Sequence, residues 1–232
     1  MISFYKYTNK ILNTKMKLIL NEIESYVVHL KKRKDREENM IKELNSFINK
    51  WEVFDAIKMN PGYKGTSESF KTIIRKAKEK GLEQVLIFED DVRFTSKKSK
   101  EKFQKAIDSL PEKWDILLGG VYTLSKPRKI EELKFNEHLL KIGDFSSLHC
   151  ILINKSCYDK ILEHKPNEVK HLDRYLGKLS RENKINAYLA YPMVAIQYNT
   201  YSDNVNKHVN YNKLLDKFEL FDFEVKRGRR MY

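Results

Sequence analysis

The stretch Val85-Leu86-Ile87-Phe88-Glu89-Asp90-Asp91 decides how the chain reads. Four consecutive apolar residues followed at once by three acids describe a strand buried on both faces that emerges into a polar site. Adjacent carboxylates repel one another and resist desolvation, so something cationic must compensate them. A divalent metal is one solution, because Mg²⁺ and Mn²⁺ prefer hard oxygen ligands and are held by one or two carboxylates plus substrate phosphates. A solvated turn with helix-capping acids is the other. In an extended segment Glu89 and Asp91 point to one side and Asp90 to the other.

Outward from this stretch, strand and helix patterns alternate. Tyr26 to Leu30 reads as a short apolar strand, and Asp35 to about Asn49 as a helix with Met40, Ile41, Leu44 and Ile48 on one face. Trp51 to Ile57 reads as a strand, Asn60-Pro61-Gly62 as a turn, and Ser67 to Lys80 as an amphipathic helix closed by Gly81. After the acids come a helix over Ser99 to Leu110 and a strand over Asp115 to Leu118, closed by Gly119-Gly120. The segment Tyr122 to Lys141 is irregular, with room for a hairpin or a loop. Leu148 to Ile153 is a strand, Ser156 to Glu163 and Val169 to Glu182 are helical, and Ile185 to Tyr191 is a last strand before Pro192. This order implies an α/β fold, a mostly parallel sheet with helices on both faces, and ligands at the carboxyl ends of strands.

Three parts are expected: an N-terminal helical extension over 1–24 with Ile11, Leu12, Leu18, Ile19 and Ile23 near helical spacing, a catalytic domain over 25–204, and a basic helix or tail over 205–232. The first could lie on a membrane surface or pack on the domain. The 232 residues include 41% hydrophobic and 12% aromatic side chains, enough for a real core, and carry a formal net charge of +13. That charge draws the chain to polyanions, whether nucleic acid, an anionic membrane face or phosphorylated small molecules, unless lysine is simply its preferred surface residue. Cys150 and Cys157 make neither a disulfide framework nor a zinc site. With no apolar stretch long enough to span a bilayer and no signal-like leader, a cytoplasmic setting is expected.

The ordered motifs resemble glycosyltransferase family 25, the lipopolysaccharide sugar transferases and collagen galactosyltransferases. The resemblance covers about Tyr26 to Asn204. Val27-Val28-His29-Leu30 with Arg33 and Arg36 stands where that family has a strand, an Asn-Leu pair and spaced arginines, with His29 for Asn. Phe54-Asp55-Ala56 matches its Phe-x-Ala strand end, and Gly65, Ser69 and Phe70 its Gly loop and Ser-His, with Phe70 for His. Leu86 to Asp91 matches in full. Trp114 to Gly120 resembles its Trp-Asp-hydrophobic-Gly strand, and Leu148 to Asn154 its His-Ala-Tyr strand. Asp173 falls where an acid precedes a helix, and Pro192, Gln197, Ser202 and Asp203 echo its closing segment.

The resemblance implies a GT-A-like, Rossmann-type sheet, a nucleotide-sugar donor such as a UDP-sugar, and Mn²⁺ or Mg²⁺. The expected reaction moves a hexose to an acceptor hydroxyl on a glycan, protein or lipid, with inversion. Asp91 is the expected main metal ligand with Glu89 in support, and His208 or Asp203 is a weaker third. Asp90 either supports the metal or holds the donor ribose. Arg33 and Arg36 are candidates to grip the diphosphate, since guanidinium matches phosphate oxygens bidentately; a solvated charge run is the plain alternative. His29, Leu30, Asp55 and Gly119 complete the donor set. Asp173 is the candidate base for the acceptor hydroxyl, or else a local cap beside Arg174. A nucleic-acid acceptor, a metal-dependent nuclease or phosphotransferase, and a non-enzymatic basic module are the competing functions.

Overall fold

The computed structural model describes residues 17–124, 130–202 and 207–210. Leu20–Glu22 forms a single 3-10 turn ahead of the first strand. Leu20 and Ile23 are buried, and Gln104 caps the turn by accepting from the Leu20 N–H and donating to the Leu18 carbonyl. The remainder of the expected extension lies outside the described residues.

The first half alternates as the sequence implies: β1 (Ser25–His29), α1 (Lys34–Phe47), β2 (Glu52–Asp55), α2 (Gly62–Glu79), β3 (Gln84–Glu89), a short β4 (Val92–Phe94) and α3 (Ser99–Asp108). Helix α2 starts at Gly62, five residues before its amphipathic pattern, directly after Pro61, whose extended backbone marks the end of the loop. The second half runs β5 (Ile116–Leu118), β6 (Thr123–Leu124), α4 (Ile130–Leu133), β7 (Leu139–Lys141), β8 (Phe145–Ser146) and β9 (Cys150–Asn154). It continues through α5 (Tyr158–Leu162), α6 (Leu172–Arg181), β10 (Ala187–Ala190), β11 (Ala195–Gln197), β12 (Thr200–Ser202) and β13 (Lys207–Val209).

Seven strands form the central sheet in the order β2-β1-β3-β9-β5-β10-β7. The sheet is mixed: β2, β1, β3, β5 and β10 run one way, while β9 runs antiparallel to both β3 and β5, and β7 antiparallel to β10. A parallel neighbour needs a helical crossover. The only helix between β5 and β9 among the described residues is the one-turn α4, and the chain returns through short strands instead. An all-apolar run such as Cys150 to Ile153 reads the same in either direction, so the sequence pattern leaves strand direction open.

Both faces are covered by helices. Val85 and Ile87 join one core with α2, α5 and α6, including Phe70, Ile73, Ile161 and Leu176. Leu86 and Phe88 join a second core with α1 and α3, including Met40, Leu44, Phe47 and Phe103. The two-residue period of β3 therefore sorts its side chains between two cores. In the second, Phe47 stacks on Phe94 at 3.9 Å between ring centres.

Phe70 is fully buried, and its neighbour Ser69 bonds the Gly65 carbonyl and the Ile57 N–H. Installing the family residue by Phe70→His should lower unfolding free energy by about 2–4 kcal/mol, since it removes packed ring atoms and buries an unpaired polar group. Urea titration measures this; a loss below about 0.5 kcal/mol would mean that His is accommodated with partners.

Candidate active site

Parallel β1 and β3 end side by side, and antiparallel β9 begins beside them, so His29, Glu89 and His149 meet at one edge of the sheet. The Glu89 N–H donates to the His149 carbonyl at 3.2 Å. Past Glu89 the chain turns through Asp90-Asp91 into β4, whose pairing with β11 puts Gln197 opposite Val92. The Gln197 amide then donates to Glu89 at 3.0 Å and to Asp91 at 2.8 Å. Glu89 and Asp91 face one way, as the strand period predicts.

Asp90 faces the other way, toward α1. It accepts from His29 Nδ1 at 2.8 Å and from the Arg36 guanidinium, which also lies 3.1 Å from Asp91. These contacts engage both carboxylate oxygens of Asp90. The hydrogen bond from Asp90 lifts the His29 imidazole above its ordinary pKa. Burial holds the Asp91 carboxyl above the usual range, with Arg36 opposing. Burial raises Glu89 further, and the charges of Asp91, Asp173 and Asp90 add to it. Three carboxylates therefore crowd the cleft floor around a single guanidinium.

The remaining expected residues divide. Leu30 lines a pocket with Val28, Ala56, Ile57, Met59 and Asn60, and an adjoining one with Arg36, Glu89, Asp90 and Asp91. Asp173 lies in the first turn of α6 and lines a cavity of about 340 Å³ with Glu89, Tyr122 and Gln197. Its carboxylate accepts from the N–H groups of Ser147 and Arg174, each at 2.7 Å. Ser147 holds φ 91, a left-handed conformation that costs a non-glycine residue energy and concentrates at functional sites.

Other expected contacts fall elsewhere. Asp55 is exposed and paired with Lys31 at 2.7 Å. Arg33 is tied to Asp35 and, with Arg36, donates to the Tyr201 carbonyl of β12. Gly119 is a packing glycine, since a Cβ there would lie 2.6 Å from the Cys150 sulfur. His208 sits on β13 edge-on to Tyr201 at 5.5 Å, while its neighbours Lys207 and Val209 line the cavity. Asp203 lies outside the described residues. Among the described residues no group of three or more His, Cys, Asp or Glu side chains converges as a ready metal shell.

Sequence reasoning gave no role to Gln197, the amide that holds two of the acids and accepts from the Ser147 hydroxyl at 3.0 Å. Its only signal was its place in the closing Pro…Gln…Ser-Asp order. Tyr63 and His171, whose rings meet at 5.3 Å on the cavity wall, carried no signal.

No known family profile matches the sequence, and no curated protein matches it. Solved structures do. A glycosyltransferase involved in glycosylation of the major capsid of PBCV-1 aligns at TM-score 0.50 and 11% identity, covering 83% of this chain and 98% of that one. A197 from STIV aligns at TM-score 0.43 and 11% identity over 81% and 92%. UDP-glucose pyrophosphorylase complexed with UDP-glucose aligns at TM-score 0.42 and 12% identity over 84% and 79%. The chain shares the α/β fold of the capsid glycosyltransferase, with a mixed seven-stranded central sheet. No described helix is long and apolar enough to cross a membrane.

His149 is fully buried, and desolvation drops its pKa from 6.5 to about 4. The folded state thus resists a proton that the unfolded state accepts, so stability is complete above pH 6.5 and falls toward pH 4. The loss amounts to about 3 kcal/mol at 1.36 kcal/mol per unit. Denaturant titrations of wild type and His149→Gln from pH 7 to 4 should differ by that slope; parallel curves would remove His149 as its source.

Proposed function

We propose that the chain is a metal-dependent glycosyltransferase that moves a hexose from a nucleotide-diphosphate sugar to an acceptor hydroxyl. The observation that carries this reading is the pairing of Glu89 and Asp91 on one Gln197 amide, between a pocket of about 330 Å³ beside Leu30 and a cavity flanked by Asp173. The family 25 motif order supports it further, as does the fold shared with the capsid glycosyltransferase.

The base and ribose fit the pocket of Val28, Leu30, Ala56, Ile57 and Asn60. The diphosphate then lies over Glu89 and Asp91. These two carboxylates, with one guanidinium among three acids, form a hard-oxygen, electron-rich set suited to Mn²⁺ or Mg²⁺. Such an ion, when bound, neutralises charge on the departing diphosphate. Asp91 would be the principal ligand and Glu89 the second, with Gln197 holding both in register.

Asp173 takes the proton of the acceptor hydroxyl. The acceptor oxygen bonds to the anomeric carbon, the carbon–oxygen bond to the diphosphate breaks, and its electron pair leaves with the nucleotide. Attack from the face opposite the leaving group gives inversion. The two backbone N–H groups on the Asp173 carboxylate fix its orientation, while Arg36 holds Asp90 and Asp91 without reaching the cavity beyond them.

A thermal-shift panel of nucleotide sugars with Mn²⁺ should single out one donor, stabilising by about 2.7 kcal/mol at one hundred times its Kd. Asp91→Asn should abolish the metal-dependent part of that shift. Asp173→Asn should keep the shift while lowering transfer about 10²–10⁴-fold, the usual contribution of a general base. Near-normal turnover of Asp173→Asn would sink its assignment. Pyrophosphate release from a nucleoside triphosphate and a sugar 1-phosphate would identify a nucleotidyltransferase instead. Salt-sensitive duplex binding would bring nucleic acid back as acceptor.

A further inference from the structure

Two cationic side chains at the cavity have no part in the chemistry above. Arg174 is the second residue after α6 begins, and Lys207 opens β13. Both line the cavity that holds Glu89, Tyr122 and Asp173. Neither lines the adjoining pocket of Arg36, Asp90 and Asp91, where the diphosphate would lie. Neither is ion-paired with a carboxylate among the described residues, unlike Lys31 with Asp55 or Arg181 with Asp144.

In a chain with 45 lysines and arginines against 32 acids, an unpaired surface lysine by itself says little. What selects this pair is convergence: two separate elements bring one cation each to the same concave space. That space also has an aromatic wall, Tyr63 against His171 at 5.3 Å and 55°, with Tyr122 and Leu148 completing its lining. At about 340 Å³ it lies within the roughly 300–1,000 Å³ range of small-molecule sites. Aromatic faces suit the C–H face of a sugar ring, and a guanidinium beside an ammonium suits a carboxylate or phosphate.

Resting on the transferase reading, we propose that this cavity is the acceptor site and that the acceptor is an anionic saccharide. The sugar ring lies on Tyr63 and His171, its acidic group meets Arg174 and Lys207, and its hydroxyl reaches Asp173. A uronic acid and a sugar phosphate offer the same chemistry, so the test includes both.

The test uses the full chain with the donor found by thermal shift and three acceptors: a neutral hexose disaccharide, one ending in a hexuronic acid, and one ending in a hexose phosphate. Donor hydrolysis by wild type without acceptor is measured first, because its absence with every donor would end the transferase reading and this inference with it. With hydrolysis present, wild type should prefer at least one acidic acceptor over the neutral one by about tenfold or more in kcat/KM. This corresponds to the roughly 1.5–3 kcal/mol of a hydrogen bond to a charged group.

Arg174→Ala and Lys207→Ala should each collapse that preference through KM of the acidic acceptor, and Arg174→Lys should restore part of it. Both positions are exposed, so folding is not at risk. Equal use of neutral and acidic acceptors would overturn the proposal. So would a rise in donor KM in these variants at unchanged acceptor preference, which would assign the two cations to the donor phosphates. Which acidic acceptor responds identifies the source of the charge.

Discussion

The structure depends on keeping three adjacent carboxylates at the end of a buried strand. Their mutual repulsion and the loss of hydration act together, and both are worst where β3 leaves the two cores. The fold answers on two sides. Toward α1, His29 and Arg36 hold Asp90, and Arg36 extends to Asp91. Toward α6, the Gln197 amide is shared between Glu89 and Asp91. The second side remains the more negative, because Asp173 adds its charge there.

Much of the surrounding architecture follows from delivering those partners. β11 must run beside β4 to bring Gln197 to Asp91, and it can do so only if the chain passes close over Gly119 and Gly120. The Gly119 carbonyl accepts from the N–H groups of Val194 and Ala195, and a Cβ on Gly120 would sit 1.9 Å from the Ala195 carbonyl oxygen. Gly120 is therefore there for backbone approach, and Gly119 for its packing against the Cys150 side chain. Arg33 and Arg36 extend the same logic outward, since their bonds to the Tyr201 carbonyl hold β12 over the cleft that the acids floor. One guanidinium thus couples the acidic turn to the strand that roofs it.

The cleft is divided chemically. Beside the loop between β2 and α2 it is lined by Val28, Leu30 and Ala56 with basic neighbours such as Lys32 and Lys58. On the α6 side it is polar and aromatic, and the acids stand between. A two-part substrate with an apolar, planar end and a hydroxylated end matches that division, with negative charge neutralised at the boundary.

The sequence alone determined the alternation of strands and helices, the two-sided burial of Val85 to Phe88, and the opposite facing of Asp90 against Glu89 and Asp91. These are local periodicities, and a period of two or of 3.6 residues survives in one dimension. It also singled out Asp173 and Leu30, which the fold brings to the cleft, through motif order. Only the tertiary structure decided the direction of β9, because an apolar run looks alike either way. It alone showed Arg36 and His29 bound to the acids, Asp55 turned out to Lys31, and Gly119 packed against Cys150. Those are pairings between residues far apart in the chain, and no spacing along the sequence encodes which charge meets which. Gln197, 108 residues from Glu89, is the plainest case: its role exists only where two distant strands lie side by side.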